Sequence, residues 1–114
     1  MTNGRRALGA HGEQLAARWY ESRGYTVVAR NWRSRTGEID LVVSRGSLVV
    51  ICEVKTRSST AYGTPAEAVG RTKQQRLRRL AIEWIGESGR HPSAIRFDVA
   101  CVMRGVVDVI ESAF

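Results

Sequence analysis

Alternating stretches of hydrophobic and polar residues divide the chain into seven segments. From Leu8 to Arg23, apolar residues recur every three or four positions, which predicts a helix. Three β-strands are then predicted at 25–32, 38–44 and 48–56, separated by short turns that contain glycine. Because consecutive strands with such short connections pair with one another, the first half of the chain is expected to form an antiparallel meander.

A second helix is predicted after a polar loop at 57–64. Thr64 is a candidate N-cap, Pro65 suits the first helical position, and Glu67 would complete a capping box. The apolar face of this helix would include Val69, and residues 86–92 would end it. Two closing strands are predicted at 95–102 and 106–110. The order α-β-β-β-α-β-β predicts an α/β fold with a mixed sheet flanked by helices.

The composition is that of a small globular protein. With 114 residues, of which 43% are hydrophobic, the chain is expected to form a single domain spanning 1–114. The two cysteines, Cys52 and Cys101, lie in apolar runs without metal-ligand spacing, so free thiols in a reducing cytoplasm are expected. The N-terminal residues lead into no apolar signal region, and no apolar run is as long as a membrane span, so no membrane partner is expected.

The charge of the chain is unusual. A net charge of +7 and a pI near 10.4 favour a polyanionic partner, and nucleic acid is the usual one. Solubility alone, or contact with acidic protein or lipid, is the alternative explanation. Among the 18 cationic residues, only Lys55 and Lys73 are lysines. The basic faces of the second helix are supplied by its arginines, Arg71, Arg76, Arg78 and Arg79.

A charged triplet, Glu53-Val54-Lys55, follows the apolar run at 48–52. Ionised residues are seldom placed at the end of a buried strand without a reason. Strand side chains alternate between faces, so Glu53 and Lys55 should point the same way, and pairing with the preceding strand would bring Asp40 beside them. Two carboxylates can hold a divalent cation, and a lysine can orient water or contact a phosphate. This arrangement indicates a metal-dependent phosphodiester hydrolase, and an exposed Glu53–Lys55 ion pair is the alternative.

Several longer motifs resemble one known family. They look like the YraN-like family of small, largely uncharacterised bacterial proteins, which is assigned to the PD-(D/E)xK nuclease superfamily. The resemblance covers nearly the whole chain, and the matching segments are Gly12-Glu13, Arg30-Asn31-Trp32-Arg33, Gly37-Glu38-Ile39-Asp40-Leu41, Glu53-Val54-Lys55-Thr56-Arg57, Gly63-Thr64-Pro65, Lys73 and Arg96-Phe97-Asp98.

This resemblance implies a fold, an activity and partners. The fold would be restriction-endonuclease-like, with an α-β-β-β-α-β core that is shared with archaeal Holliday-junction resolvases. The activity would be Mg²⁺- or Mn²⁺-dependent cleavage of DNA, branched or otherwise structured, by a protein that can form a homodimer.

The resemblance also implies roles for individual residues. Asp40, Glu53 and the backbone carbonyl of Val54 would be metal ligands, Glu13 would lie near the metal, and Lys55 would sit beside the attacking water. Read from the sequence alone, Glu13 is better explained as a solvated acid near a helix N-terminus. Glu38, on the same strand face as Asp40 by alternation, would support the metal ligands without binding the metal itself. The residues that would contact DNA phosphates are Lys73, Arg57, Arg71 and Arg78.

Other interpretations remain open at this point. A protein with this fold could bind DNA without useful turnover, or act as an adaptor in a DNA-processing complex, because fold does not fix function. Trp19 and Trp84 fall on apolar helix faces and are expected in the core, which leaves Trp32 as the candidate for stacking on a base. Asp98 is expected to pair with an arginine in a structural role.

Overall fold

The computed structural model describes residues 2–57 and 69–114, with side chains from residue 8 onward. The predicted order of elements is confirmed. The helices and strands are α1 (Thr2–Glu21), β1 (Thr26–Ser34), β2 (Gly37–Arg45), β3 (Leu48–Arg57), α2 (Arg71–Ser88), β4 (Ala94–Met103) and β5 (Val106–Ile110).

The five strands form one mixed sheet in the order of the chain, β1-β2-β3-β4-β5. β3 and β4 are parallel because α2 lies between them in the chain, and all other neighbours are antiparallel. Side chains of β3 alternate between two cores. Val49 and Ile51 pack on the side of α2, whereas Val50 and Cys52 pack on the side of α1. The expected mixed sheet flanked by helices is therefore confirmed.

The second helix begins later than predicted. The capping residues Thr64, Pro65 and Glu67 lie outside the described residues, and α2 starts at Arg71 with Gly70 as its N-cap. The placement of Val69 on the helix face is wrong, because extended backbone at Gly70 (φ −74°, ψ 172°) separates Val69 from the helix. Val69 is nevertheless buried in the α2-side core.

A buried carboxylate joins β4 to α1. Asp98 is fully buried and accepts hydrogen bonds from Tyr20 Oη at 2.7 Å, from Arg96 Nε at 2.8 Å and from the backbone N–H of Ser112 at 3.1 Å. A buried charge is tolerated only when it is paired and hydrogen-bonded in this way. The expected structural pairing of Asp98 with an arginine is confirmed.

The expected core positions of Trp19 and Trp84 are confirmed. Trp84 is buried, and Trp19 packs against the α1-side core. Trp32 packs partly against the α2-side core, and its Nε1–H donates to Glu87 Oε2 at 3.1 Å. Cys52 and Cys101 are both free thiols. Within the described ranges, neither helix is both long enough and apolar enough to cross a membrane.

Candidate functional site

Two neighbouring strands separate at the centre of the site. The β2–β3 ladder stops at the pair Leu41–Cys52, but β2 continues beside β1 down to Gly37 and β3 continues beside β4 up to Arg57. The first residues beyond the last β2–β3 pair are Asp40 and Glu53. The strands thus open a gap in the sheet, with one carboxylate on each side of its mouth.

Asp40 compensates for the lost strand pairing. Its Oδ2 accepts a hydrogen bond of 2.8 Å from the backbone N–H of Val54. This side chain therefore satisfies a donor on β3 that no backbone carbonyl of β2 is paired with, as partly buried backbone N–H groups require. The bond fixes the Asp40 carboxylate against the segment that carries Glu53 and Lys55.

The alternation of side chains along β2 is interrupted at Asp40. Leu41 packs in the α1-side core and Ile39 in the α2-side core, although the two are only two positions apart. The register places Asp40 opposite Asn31 of β1, whose φ is 50°, a left-handed conformation that is uncommon outside glycine. Asp40 consequently borders cavities on both faces of the sheet.

The two cavities meet at the carboxylate pair. The cavity on the α1 side has a volume of about 430 Å³, and its lining residues are Leu8, Gly9, Glu13, Asp40, Glu53, Val54 and Thr56. The cavity on the α2 side has a volume of about 230 Å³, and its lining residues are Glu38, Asp40, Glu53, Lys73, Arg76, Leu77 and Leu80. The structure therefore brings together Asp40, Glu53, Val54 and Glu13, the four predicted metal-site residues, around the same opening.

Glu53 is the more buried of the two carboxylates at the gap. Its side chain is only 7% exposed, and its Oε2 lies 3.0 Å from Lys73 Nζ. This distance is that of an ion pair, and the buried Oε2 accepts no hydrogen bond from the described residues. Burial is the largest single effect and lowers the pKa of Lys73, but the interaction with Glu53 and the smaller contributions of Lys55 and Asp40 together outweigh it, so the net pKa is raised.

The neighbouring Glu53 makes a second negative charge on Asp40 unfavourable. Burial, a hydrogen bond with Glu53 and the charge of Glu53 together raise the pKa of Asp40 to about 8, against the opposing hydrogen bond from Val54. The protonated form of Asp40 is therefore favoured at neutral pH when no divalent cation is present. A divalent cation would relieve the same repulsion.

Lys55 lies on the α2 face of β3 together with Glu53, as the alternation of the strand predicts. It is half-buried, and burial and the neighbouring Lys73 lower its pKa, while Glu53 acts in the opposite direction. The two lysines of the chain therefore converge on one carboxylate, although the sequence predicted only Lys55 there. The contact from Lys73 depends on where α2 begins, which no local pattern indicates.

Glu13 and Glu38 lie around the opening without touching its centre. Glu13 accepts a hydrogen bond from Asn31 Nδ2 at 3.2 Å, and burial followed by repulsion from Glu38 and Glu53 raises its pKa. Glu38 forms a 2.6 Å ion pair with Arg33. Glu13 stays a prediction for the metal site, and Glu38 stays a prediction for a residue that supports the metal ligands.

The predicted phosphate-contacting arginines occupy different places. Arg71 is exposed at the start of α2, and Arg57 is half-buried at the end of β3. Arg78 lies over the rings of Phe97 and Phe114, at 4.9 and 5.5 Å from their centroids, so it packs against β4 and the C-terminus. Arg76 instead borders the α2-side cavity. Its position three residues after Lys73 was the signal that could have identified it.

The donor set at the gap fits a hard divalent cation. Mg²⁺ is commonly held by one or two carboxylates and retains several waters, and Asp40 and Glu53 supply two carboxylates with a poorly satisfied oxygen. Among the side chains that the structure describes, in residues 8–57 and 69–114, no three of His, Cys, Asp or Glu form a group that could hold a metal ion. Waters or a backbone carbonyl would therefore complete the coordination of a cation held by Asp40 and Glu53.

Comparison with known sequences finds one family and many relatives. Residues 12–102 match the sequence profile of the Uncharacterised protein family UPF0102. A UPF0102 protein of Rhodococcus opacus is 57% identical over 99 residues, covering 87% of this chain and 84% of the relative. A UPF0102 protein of Nocardia farcinica is 48% identical over 115 residues, covering 96% and 91%. The resemblance to YraN-like proteins is confirmed.

Proposed function

The chain belongs to the uncharacterised protein family UPF0102, and from its site we propose a function: a metal-dependent DNA endonuclease that hydrolyses phosphodiester bonds in branched or otherwise structured DNA. The observation that carries the proposal is the Asp40–Glu53 pair at the mouth of the β2–β3 gap, with Lys55 beside it. The resemblance to PD-(D/E)xK nucleases supports the choice of DNA.

Asp40 and Glu53 would hold the Mg²⁺ or Mn²⁺ ion, with the carbonyl of Val54 as the predicted third ligand. When bound, such a cation neutralises phosphate charge and lowers the pKa of a bound water.

The other residues contribute through charge and position. The hydrogen bond from Val54 N–H keeps the Asp40 carboxylate oriented before any substrate arrives. Lys55 places an ammonium group beside the carboxylates, where it can orient the attacking water and stabilise negative charge that develops on the phosphate. Lys73 neutralises Glu53 and offers further donors to a phosphate oxygen.

The net charge of +7 supports a nucleic acid as the partner, and we place the activity in the cytoplasm. A homodimer, as in junction-resolving proteins, belongs to the same proposal.

One observation favours a second function. In the described residues only two acidic side chains meet at the gap, and Lys73 already neutralises one of them. A protein in which this ion pair persists would bind DNA without cutting it. The second candidate is therefore a DNA-binding module with the same fold and no turnover.

A cleavage screen separates the two functions. Duplex, flap and four-way DNA would be incubated with Mg²⁺, Mn²⁺ or Ca²⁺ and with the wild type, Asp40→Ala or Asp108→Ala. Asp108 is an exposed carboxylate on β5 and serves as the matched control. The nuclease predicts cleavage that Asp40→Ala abolishes and Asp108→Ala retains. Cleavage that survives Asp40→Ala, or no cleavage with any metal, contradicts it.

A further inference from the structure

A basic groove adjoins the candidate site. It lies between the turn that connects β1 to β2 and the exposed side of α2, and has a volume of about 470 Å³. All of its lining residues are polar or positively charged: Arg35, Thr36, Thr72, Gln75, Arg76 and Arg79. We call this feature the arginine groove. It contains no acidic or aromatic side chain among these lining residues, which favours an anionic ligand over an apolar or stacking one.

The three arginines of the groove are exposed, and none of them forms an ion pair with the part of the chain that the structure describes. Elsewhere arginines are engaged, such as Arg96 with Asp98. Glu83 borders the region: its carboxylate accepts a hydrogen bond from Thr36 Oγ1 at 2.5 Å, and it attracts the charge of Arg79 without forming an ion pair with it. The guanidinium groups of the groove therefore retain their donors for a ligand.

The arginine groove is continuous with the carboxylate site. Arg76 borders both the groove and the α2-side cavity that contains Asp40 and Glu53. Lys73, Arg76 and Arg79 follow one another at three-residue intervals on α2. Six helical residues span about 9 Å, which matches two or three phosphates of one DNA strand at about 3.4 Å of helix axis per nucleotide.

We propose that the arginine groove binds the phosphate backbone of the nucleic-acid strand on one side of the scissile position, so that this strand runs from the Asp40–Glu53 pair along α2 toward the β1–β2 turn. The identity of the strand as the substrate rests on the proposed function. Forked guanidinium groups bind phosphate oxygens in pairs, so the groove would grip the backbone without reading bases.

Salt-dependent binding of DNA tests the arginine groove without any cleavage. Fluorescently labelled duplex and single-stranded oligonucleotides would be titrated with the full chain in EDTA between about 50 and 300 mM salt, the range in which phosphate contacts weaken most visibly. The variants are Arg76→Gln/Arg79→Gln and the charge-matched control Arg18→Gln/Arg90→Gln. Arg18 is exposed on α1, and Arg90 lies beside Gly46 and Ser47 at the opposite end of β3. Thermal unfolding verifies that both variants fold.

The expected result is a selective loss. Each phosphate contact contributes about one to the steepness with which log K falls against log salt. The groove variant should therefore reduce the magnitude of this slope by about 2, and the control by much less. Arg35→Gln alone should lower it by about 1. Equal effects of the two double variants, or no DNA binding by the wild type, would overturn the proposed role of the groove.

The outcomes also separate the groove from the nuclease. Selective loss of binding in a protein that cleaves nothing with any metal would support the groove and contradict the nuclease. Metal-dependent cleavage with unchanged binding in the groove variant would do the reverse. Selective loss of binding to polyglutamate, with DNA binding unchanged, would assign the groove to an acidic protein and overturn the proposal.

Discussion

At the scale of single residues, the position of Asp40 makes its negative charge unfavourable. It shares a poorly solvated gap with Glu53, and its pKa is raised to about 8. In the unfolded chain an aspartic acid releases its proton near pH ~4. Between these values the folded state holds more protons than the unfolded state, so the free energy of unfolding falls as pH rises. The raised pKa of Asp40 therefore lowers the free energy of unfolding at neutral pH.

Asp40→Asn should remove this pH dependence. The amide retains an oxygen for Val54 N–H and carries no charge, so in EDTA the variant should gain stability relative to wild type as pH rises from about 4 to 8. Because Asp40 binds at most one proton more in the folded state than in the unfolded state, the gain cannot exceed about 1.4 kcal/mol per pH unit. Urea unfolding across this pH range measures it. Parallel curves for both proteins would show that Asp40 is ionised and compensated at neutral pH.

Lys55 distinguishes an enzyme from a binding module. Removing an electrostatic stabiliser from a reaction centre costs about 10²–10³ in rate, so Lys55→Ala should lower single-turnover cleavage by that factor. Lys55→Arg should also be poor, because a planar guanidinium does not replace a compact ammonium in a half-buried site.

Affinity for DNA should change little in either Lys55 variant, since each alters at most one of 18 cationic side chains. Anisotropy titration in EDTA provides this control. A preparation whose cleavage survives Lys55→Ala undiminished would place the activity at another site or in another protein.

At the scale of helices and strands, local patterns predicted most of the fold. Turn glycines and alternation located the three meander strands, and alternation on β3 placed Glu53 and Lys55 on one face. The interruption at Asp40 could not be predicted, because it depends on the left-handed conformation of Asn31 on the neighbouring strand. The contact between Lys73 and Glu53 likewise results from tertiary packing of α2, which the local capping signal at Thr64 does not encode.

The position of α1 depends on a close approach to β3. A Cβ atom added at Gly12 would meet Thr56 Oγ1 at 2.0 Å and Thr56 Cβ at 3.2 Å. Gly12→Ala should therefore destabilise the protein by about 1–3 kcal/mol, as overpacking does. A Cβ atom added at Gly9, also in α1, would meet no other atom within 4 Å, so Gly9→Ala is the matched control and should be neutral or slightly stabilising.

Thr56→Ala should partly rescue Gly12→Ala, because it removes the hydroxyl and the methyl group of Thr56. Denaturant unfolding of the two single variants and the double variant gives the coupling between them. Additive effects, or equal costs at Gly9 and Gly12, would show that α1 can shift away from β3 without loss.

At the scale of the whole molecule, the site lies outside the structures that hold the fold together. The two cores lie on opposite faces of the sheet, and the carboxylates stand where β2 and β3 have already separated. Chelation with EDTA should therefore leave a cooperatively folded protein. Mn²⁺ at about 100 times its Kd should raise the free energy of unfolding by about 2.7 kcal/mol, and Asp40→Ala should abolish that gain.

Differential scanning calorimetry with and without EDTA measures both effects. Loss of cooperative unfolding in EDTA would mean that the cation is part of the fold. An equal gain from Mn²⁺ in wild type and Asp40→Ala would place the binding site elsewhere.

The hydrogen bond between Val54 N–H and Asp40 also has a spectroscopic consequence. Because this amide is held by a side chain and not by the facing strand, its ¹⁵N and ¹H chemical shifts report on the charge of a single carboxylate. Titration with a diamagnetic cation such as Mg²⁺ or Ca²⁺ should move the resonance of Val54, while that of Val50, which lies within the β2–β3 ladder, stays in place. One peak in a two-dimensional NMR spectrum thus provides an assay for occupancy of the site that requires neither a substrate nor a label on the DNA.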